Sequence, residues 1–176
     1  MKRTDGVAST SDLLEPLDLP PQPLAAAGVG AYLRWDHLRL SLVFQRAIER
    51  ARTGRWESAR QAWAVYAEGM RRHLRLEEEL VFPVLERKYS NGAPRITTPL
   101  RLQHHEIGTM VAETAEAIAA QDASRLVELA DELLALLIGH ERLEEEGVYP
   151  QCDHLLTAEQ RALLLAEIPA AGDKPA

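Results

Sequence analysis

The stretch His73-Leu-Arg-Leu-Glu77-Glu78-Glu79-Leu-Val-Phe82-Pro83 recurs 67 residues later as His140-Glu-Arg-Leu-Glu144-Glu145-Glu146-Gly-Val-Tyr149-Pro150, with eight of its eleven positions identical. Such identity marks a duplicated unit, which the fold must accommodate twice. Each copy sets a histidine four residues before a glutamate. On a helix both side chains then share one face, roughly 40° apart around the axis and about 6 Å apart at Cβ. Two such pairs brought together offer a site for metal.

The duplication reaches further back: Leu33-Arg34-Trp-Asp-His37-Leu-Arg-Leu40 aligns at the same offset with Leu100-Arg101-Leu-Gln-His104-His-Glu-Ile107. The unit is therefore a helical hairpin with one histidine on its first helix and His-x-x-x-Glu on its second. Ala, Leu, Glu and Arg dominate the chain while β-branched and aromatic residues are scarce, which favours helix throughout. Helical spacing of Leu33, Leu40, Phe44, Ala47 and Ala51 predicts a first helix from Ala31 to Arg52, stopped at Thr53-Gly54. The second is expected from Trp56 to Tyr89, with Trp63, Tyr66, Met70, His73, Glu77, Leu80 and Val84 inward and Pro83 kinking or shortening it. After a loop at Ser90–Pro94, Thr98 caps a third helix that has Pro99 in its first position and ends near Ala120. The fourth runs from Ser124 to His154 with Leu133, Leu137, His140, Glu144 and Val148 inward, and Thr157 with Gln160 forms a capping box for a short fifth.

The expected organisation is an all-α chain in three parts. Residues 1–29, with Pro16, Pro20, Pro21 and Pro23, form an extended arm that Leu13, Leu14, Leu17 and Leu19 lay over the domain. Residues 30–155 form an up-down-up-down four-helix bundle of two repeated hairpins. Residues 156–176 form a short C-terminal helix and a tail whose last eight residues fray.

Distances to the turns decide what the bundle encloses. His37 lies 16 residues before Thr53, and His73 lies 18 after Arg55; His104 and His140 each lie 17 from the second turn, about 25 Å of helix. Packed with pseudo-twofold symmetry, the hairpins bring His37, His73, Glu77, His104, His140 and Glu144 to one level. Buried without partners, these groups would cost several kcal/mol and push each glutamate towards neutrality. Two ions bridged by Glu77 and Glu144, one also held by His37 and His73 and the other by His104 and His140, use all six. Mixed imidazole and carboxylate coordination suits iron or manganese better than tetrahedral zinc. His105 points about 100° away from His104, so His104, which keeps the repeat offset, is the expected ligand, and His154 reads as a surface group. Glu78, Glu79, Glu145 and Glu146 read as solvated or supporting, with Glu145 able to replace Glu144 as a bridge if the helix is distorted.

A net charge of -7 argues against nucleic acid or an anionic membrane surface as partner, and no apolar run approaches a spanning helix. The single Cys152 excludes an intramolecular disulfide and is expected to be a half-buried bystander in a reducing compartment. Met1-Lys-Arg-Thr-Asp-Gly is followed by no apolar segment, which reads as cytoplasmic rather than secreted.

The repeated pattern of His followed by His-x-x-x-Glu, each copy closed by Phe-Pro or Tyr-Pro, resembles the hemerythrin-like or HHE cation-binding family over about residues 31–154. The resemblance implies a non-haem di-iron site with an oxygen bridge. Its ligands would be His37, His73, Glu77, His104, His140 and Glu144, the glutamates bridging, with manganese or zinc as substitutes. Two departures separate the chain from the oxygen carriers of that family. Gly108 stands where they have a further histidine, and Glu144 stands four residues after His140 where they have aspartate at five. The implied activity is binding of, or reaction with, oxygen, nitric oxide or peroxide in sensing, storage or stress defence. Enzymatic turnover at the same irons, and a metal-switched interaction module with an unknown protein partner, are the alternatives.

Overall fold

The computed structural model describes residues 20–23, 27–89 and 97–167. The expectations for Leu13, Leu14, Leu17 and Leu19, for the loop at Ser90–Pro94 and for the frayed C-terminus lie outside the described residues. Among these there is helix and no strand: α1 (Val29–Arg52), α2 (Trp56–Leu76), α3 (Phe82–Lys88), α4 (Thr97–Ala120), α5 (Ala123–Leu143), α6 (Tyr149–Leu155) and α7 (Ala158–Glu167). Two π-helical segments, Glu77–Val81 and Glu144–Val148, join α2 to α3 and α5 to α6 without a break. No helix among the described residues is long and apolar enough to cross a membrane.

Both hairpin turns have the same hydrogen-bond pattern. In the first, Gly54 N–H bonds to Ala51 O at 2.9 Å and Arg55 N–H to Arg50 O at 2.8 Å; in the second, Gln121 N–H bonds to Ile118 O at 3.2 Å and Asp122 N–H to Ala117 O at 3.0 Å. This is the six-to-one closure of a helix end, which needs a left-handed residue just beyond it. Gly54 supplies φ 76° at no steric cost, and Gln121 takes φ 56° in the equivalent place 67 residues on. Asp122 then caps α5 by accepting from Arg125 N–H at 3.0 Å.

Other ends are tied by distant groups. Val29 N–H, at the start of α1, donates to Asp153 Oδ1 on α6 at 2.6 Å, a charge-assisted bond at a helix N-terminus. Trp35 Nε1 donates to Pro20 O at 3.0 Å, so this part of the proline-rich arm lies against α1. Helix α4 begins at Thr97, one residue before the expected cap, and Thr97 Oγ1 donates to Glu86 Oε1 at 2.7 Å instead of capping its own helix. The expected capping box of α7 forms: Thr157 N–H bonds to Gln160 Oε1 at 3.0 Å and Gln160 N–H to Thr157 Oγ1 at 3.2 Å.

The interior is two apolar clusters with a polar layer between them. One surrounds Phe44, Trp63 and Tyr66 and includes Leu40, Met70, Ile107, Val111, Leu133 and Leu137. The other gathers Leu33, Leu76, Val81, Phe82, Leu100, Val148, Tyr149 and Cys152, with Leu164 of α7 packed on it. Along each long helix the switch from one cluster to the other falls at a histidine: His37 between Leu33 and Leu40, His104 between Leu100 and Ile107, His73 between Met70 and Leu76, and His140 between Leu137 and Val148.

At the prolines the helix neither stops nor keeps its α period. Pro83 and Pro150 have no N–H for the carbonyl four residues back, and their rings crowd it. The helix responds by widening: Phe82 N–H bonds to Glu77 O and Tyr149 N–H to Glu144 O, five residues back. The chain stays helical through Lys88, and the extra residue per turn moves the inward face on by one. Val81 is buried where Leu80 was expected, and Leu80 is half-buried. Cys152 is buried rather than half-buried, its thiol directed at Val148 O.

Candidate metal centre

All four histidines sit inside long α-helices, and each glutamate opens a π segment, so backbone rotamers on rigid elements fix the layer. Every one of His37, His73, Glu77, His104, His140 and Glu144 is buried, with Glu77 and Glu144 at 0% exposure. Their inward atoms form two groups, His37–His73–Glu77–Glu144 and Glu77–His104–His140–Glu144, each with donor atoms within 4.8 Å of one another. Both glutamates belong to both groups. The expected six residues therefore come together, and the arrangement could hold metal ions in two adjacent positions.

The outer faces of the imidazoles fix which nitrogen points inward. His37 Nδ1 lies 3.1 Å from Glu145 Oε1, His73 Nδ1 3.1 Å from Asp36 Oδ2, His104 Nδ1 2.8 Å from Glu78 Oε1 and His140 Nδ1 3.2 Å from Gln103 Oε1. Carboxylate and amide oxygens only accept, so each Nδ1 carries the proton and donates. In the neutral ring each Nε2 then faces the centre with a lone pair, the tautomer and orientation that a metal-binding histidine needs. These four supports obey the repeat as well: Asp36 pairs with Gln103 and Glu78 with Glu145 at the 67-residue offset. Asp36 is further held by Arg39 Nε at 2.7 Å.

Sequence reasoning missed Asp36 and Gln103, although both stand inside the repeated stretch immediately before a ligand-type histidine. Glu145 lies on the outer side, against His37 Nδ1; the helix is distorted there, yet Glu144 keeps the inward position. His105 and His154 are exposed, as expected, and Gly108 is exposed with open space beside it.

The π segments also recruit two aromatics that helical spacing conceals. In an α-helix a residue five after the glutamate would stand about 140° from it. The five-residue ring of the π turn returns it to the same face. Phe82 thus stacks on His104 with centroids 5.2 Å apart and planes at 24°, and Tyr149 reaches the centre with its hydroxyl. Gly30 makes room for Tyr149, since a Cβ there would stand 3.1 Å from its carbonyl oxygen.

Buried polar atoms without hydrogen-bond partners test whether the layer suits a cation. Glu77 Oε2, Glu144 Oε1, His104 Nε2 and His140 Nε2 have none. They are the four inward atoms around the second position, and His140 Nε2 stands 3.1 Å from Glu144 Oε1 without alignment for a bond. Such orphans ordinarily cost about 1–3 kcal/mol each. A divalent cation among them would satisfy all four at once, so the residues fit the group.

Without metal, protons do part of that work. Burial lowers the His37 affinity for a proton, but hydrogen bonds to Glu144 and Glu145 outweigh it and raise the imidazole to about 10. Burial is likewise outweighed at His104, which Glu144 and Glu77 raise to about 9. Burial would raise Glu144, yet the neighbouring His104, His140 and His37 hold it well below the ordinary 4.5. Asp36, also opposed by burial, is held to about 2 by His73 and Arg39.

The sign of the stability change follows. Raised imidazoles stabilise fully below the ordinary 6.5 and lose that contribution as pH climbs through about 9 to about 10; the depressed Glu144 stabilises above 4.5 and loses it as pH falls. Metal-free protein is therefore expected to have its highest urea midpoint near about pH 6 and to lose stability towards about pH 10. A midpoint that rises over that interval would contradict the charge pairing described above.

A family model described as the hemerythrin HHE cation binding domain matches residues 31–152. Comparison with curated proteins and with solved structures gave no match. The matched segment opens in α1 and closes in α6, and so takes in both histidine-bearing hairpins and both glutamates. On that span the chain belongs to the hemerythrin HHE cation-binding family.

Proposed function

We propose that the protein is a non-haem di-iron protein. Glu77 and Glu144 would be shared by the two irons, with His37 and His73 holding one and His104 and His140 the other. The reading includes an up-down-up-down four-helix bundle over residues 30–155, with the arm at 1–29 and the helix and tail at 156–176 outside it, and a cytoplasmic location. The observation that carries it is the sharing of both buried carboxylates between two histidine pairs whose outer nitrogens are all tied. When bound, an iron pair with an oxygen bridge supplies open coordination positions and redox electrons to a small ligand such as oxygen, nitric oxide or peroxide. Manganese or zinc fit the same donors as substitutes.

One to two helical turns from the histidine layer, a surface pocket of about 40 Å³ is lined by Leu40, Phe44, Tyr66, Met70, Leu137 and Glu141 and by the exposed Leu134 and Ile138. That is room for roughly two or three water-sized groups, which suits a diatomic or peroxide ligand and not a larger organic one. Sensing, storage or defence against oxidative or nitrosative stress are roles such a ligand would serve.

A second reading, an enzyme of the peroxidase, oxidase or nitric oxide reductase type, is favoured by Glu141. Burial, countered in part by His37 and His73, holds its carboxyl above the usual range. A carboxyl beside the cavity is placed to exchange a proton with a reacting ligand. The unpartnered Tyr66 hydroxyl lines the same cavity.

Metal analysis of freshly purified protein, followed by anaerobic iron loading and exposure to oxygen, nitric oxide and peroxide, tests the first reading. The expected result is two irons per chain and a spectral change with at least one ligand. No metal at any loading would end it. Sustained turnover with an electron donor, as opposed to a single stoichiometric reaction, would select the enzyme.

A further inference from the structure

The two metal positions are not equivalent, and the difference lies in the one aromatic pair that the repeat does not keep. Phe82 and Tyr149 occupy corresponding places five residues after Glu77 and Glu144. Phe82 offers its ring face to His104 and carries no donor. The Tyr149 hydroxyl oxygen lies 2.6 Å from Glu77 Oε1, 3.0 Å from His37 Nε2, 3.2 Å from Glu144 Oε2 and 3.5 Å from His73 Nε2. Those four atoms are the inward donors of the first position.

We propose that Tyr149 is a fifth protein donor at the His37–His73 position, so that one metal is held by a phenolate that the other lacks. The inference rests on the di-iron reading above and adds to it a ligand that the six-residue pattern does not contain.

Three observations carry it. Adjacent donors on a six-coordinate ion with bonds of about 2.1 Å stand about 3 Å apart. The hydroxyl oxygen keeps roughly that separation from all four of the other atoms, as a fifth vertex beside four would. A hydroxyl has one hydrogen and two lone pairs, so it can make at most about three hydrogen bonds, yet four polar atoms surround it. Once Nε2 and carboxylate lone pairs turn to an ion, none of the four has a hydrogen to give the phenol oxygen, whose own lone pairs then face the same ion. Finally, the backbone places it deliberately. The π turn swings Tyr149 inward, and Gly30 leaves the space against which its backbone packs.

The surroundings differ in the same sense. His73 is supported by the Asp36 carboxylate and, through it, by Arg39, whereas its counterpart His140 has only the neutral Gln103 amide. Asp36 is neutralised by Arg39, so it is the Tyr149 phenolate that makes the first position the more anionic of the two and favours the higher oxidation state of a bound metal. Coordination breaks the phenol O–H bond: the oxygen's electron pair goes to the ion, and one proton leaves to solvent.

The test loads the full-length chain with ferrous ion anaerobically, oxidises it with ferricyanide, and compares wild type with Tyr149→Phe by visible absorption and resonance Raman scattering. Tyr149→Phe recreates the residue found at position 82, so the variant is expected to fold and to keep two irons. Wild type should show a phenolate-to-iron(III) charge-transfer band with enhanced tyrosine ring modes, and the variant should lose both. Proton release on loading with ferric ion should also fall by one per chain in the variant. Two irons bound with identical spectra and proton release in both proteins would reduce Tyr149 to a hydrogen-bonding neighbour and overturn the inference alone. Failure of wild type to take up iron would overturn the di-iron reading and this inference with it.

Discussion

Changing Glu77 and Glu144 together to glutamine is expected to abolish metal uptake, and either single change to leave at most one ion per chain. Groups that merely orient a ligand already contribute about 10–100-fold to metal affinity. A shared carboxylate removed from both positions should therefore cost on the order of 100-fold or more at each. Glutamine keeps the volume of the side chain, so the helices stay packed and the loss is one of charge. Binding to the folded state alone raises stability by mass action, hence the metal-dependent rise in melting temperature expected for wild type should vanish in the double variant. Metal analysis and melting curves with and without added iron decide it. A double variant that still holds two ions with wild-type affinity would show that the carboxylates are not ligands. The metal-free variant has a second expected property. His37 and His104 lose the buried charges of Glu144 and Glu77 but keep Glu145 and Glu78 on their outer nitrogens, so part of their raised proton affinity should go and the fall in stability between about pH 6 and about pH 10 should become shallower.

Trp63→Ala should be the most damaging single truncation below the histidine layer, at about 3–5 kcal/mol. Trp63 is buried between Phe44 and Tyr66, with ring centroids 5.6 Å and 4.8 Å away, and its Nε1 donates to Val111 O at 3.1 Å. The hydrogen bond crosses from α2 to α4, that is, from one hairpin to the other. Alanine leaves a cavity, and its closure would require the two hairpins to shift. Because the residue lies in the cluster that ends at Leu40 and Met70, the inward donors themselves are untouched. A lowered urea midpoint with an unchanged denaturant slope, and retained metal stoichiometry under native conditions, is the expected outcome. A loss under about 1 kcal/mol would mean that the hairpins are held mainly by the site.

How much of this was readable in advance depends on which period a residue obeys. His37, His73, His104, His140, Glu77 and Glu144 follow plain α spacing up to the glutamates, and the 67-residue repeat checks each choice against its partner. Both turns can be located because Thr53-Gly54 and Gln121-Asp122 interrupt apolar periodicity, with Gly54 and Gln121 at the repeat offset. Beyond the glutamates the α period fails. Pro83 and Pro150 announce a disturbance, but a missing N–H is compatible with a kink, a stop or a widened turn, and only the tertiary packing of Val81 and Val148 selects the last. The α period therefore puts Leu80 inward and leaves Tyr149 off the site, although the Tyr149 hydroxyl is central to it. Asp36 and Gln103 were hidden differently. They share a position but not a charge, so identity gives no signal, while the chemistry they share, an oxygen that accepts from Nδ1, does.

The paired turns give the molecule its phasing. Each is a short, fully hydrogen-bonded reversal, and everything from α2 to Pro83, or from α5 to Pro150, is rigidly helical beyond it. One residue inserted at Gly54 or Gln121 would therefore be transmitted as a rotation of about 100° and an advance of about 1.5 Å along the whole returning helix. His73 or His140 would be carried off the inward face some 25 Å away from the change. That Gln121 accepts a left-handed backbone which glycine adopts freely shows which quantity is held fixed: the length of the turn, even where the residue best suited to it has been replaced. In this fold a loop far from the donors acts as their timing element.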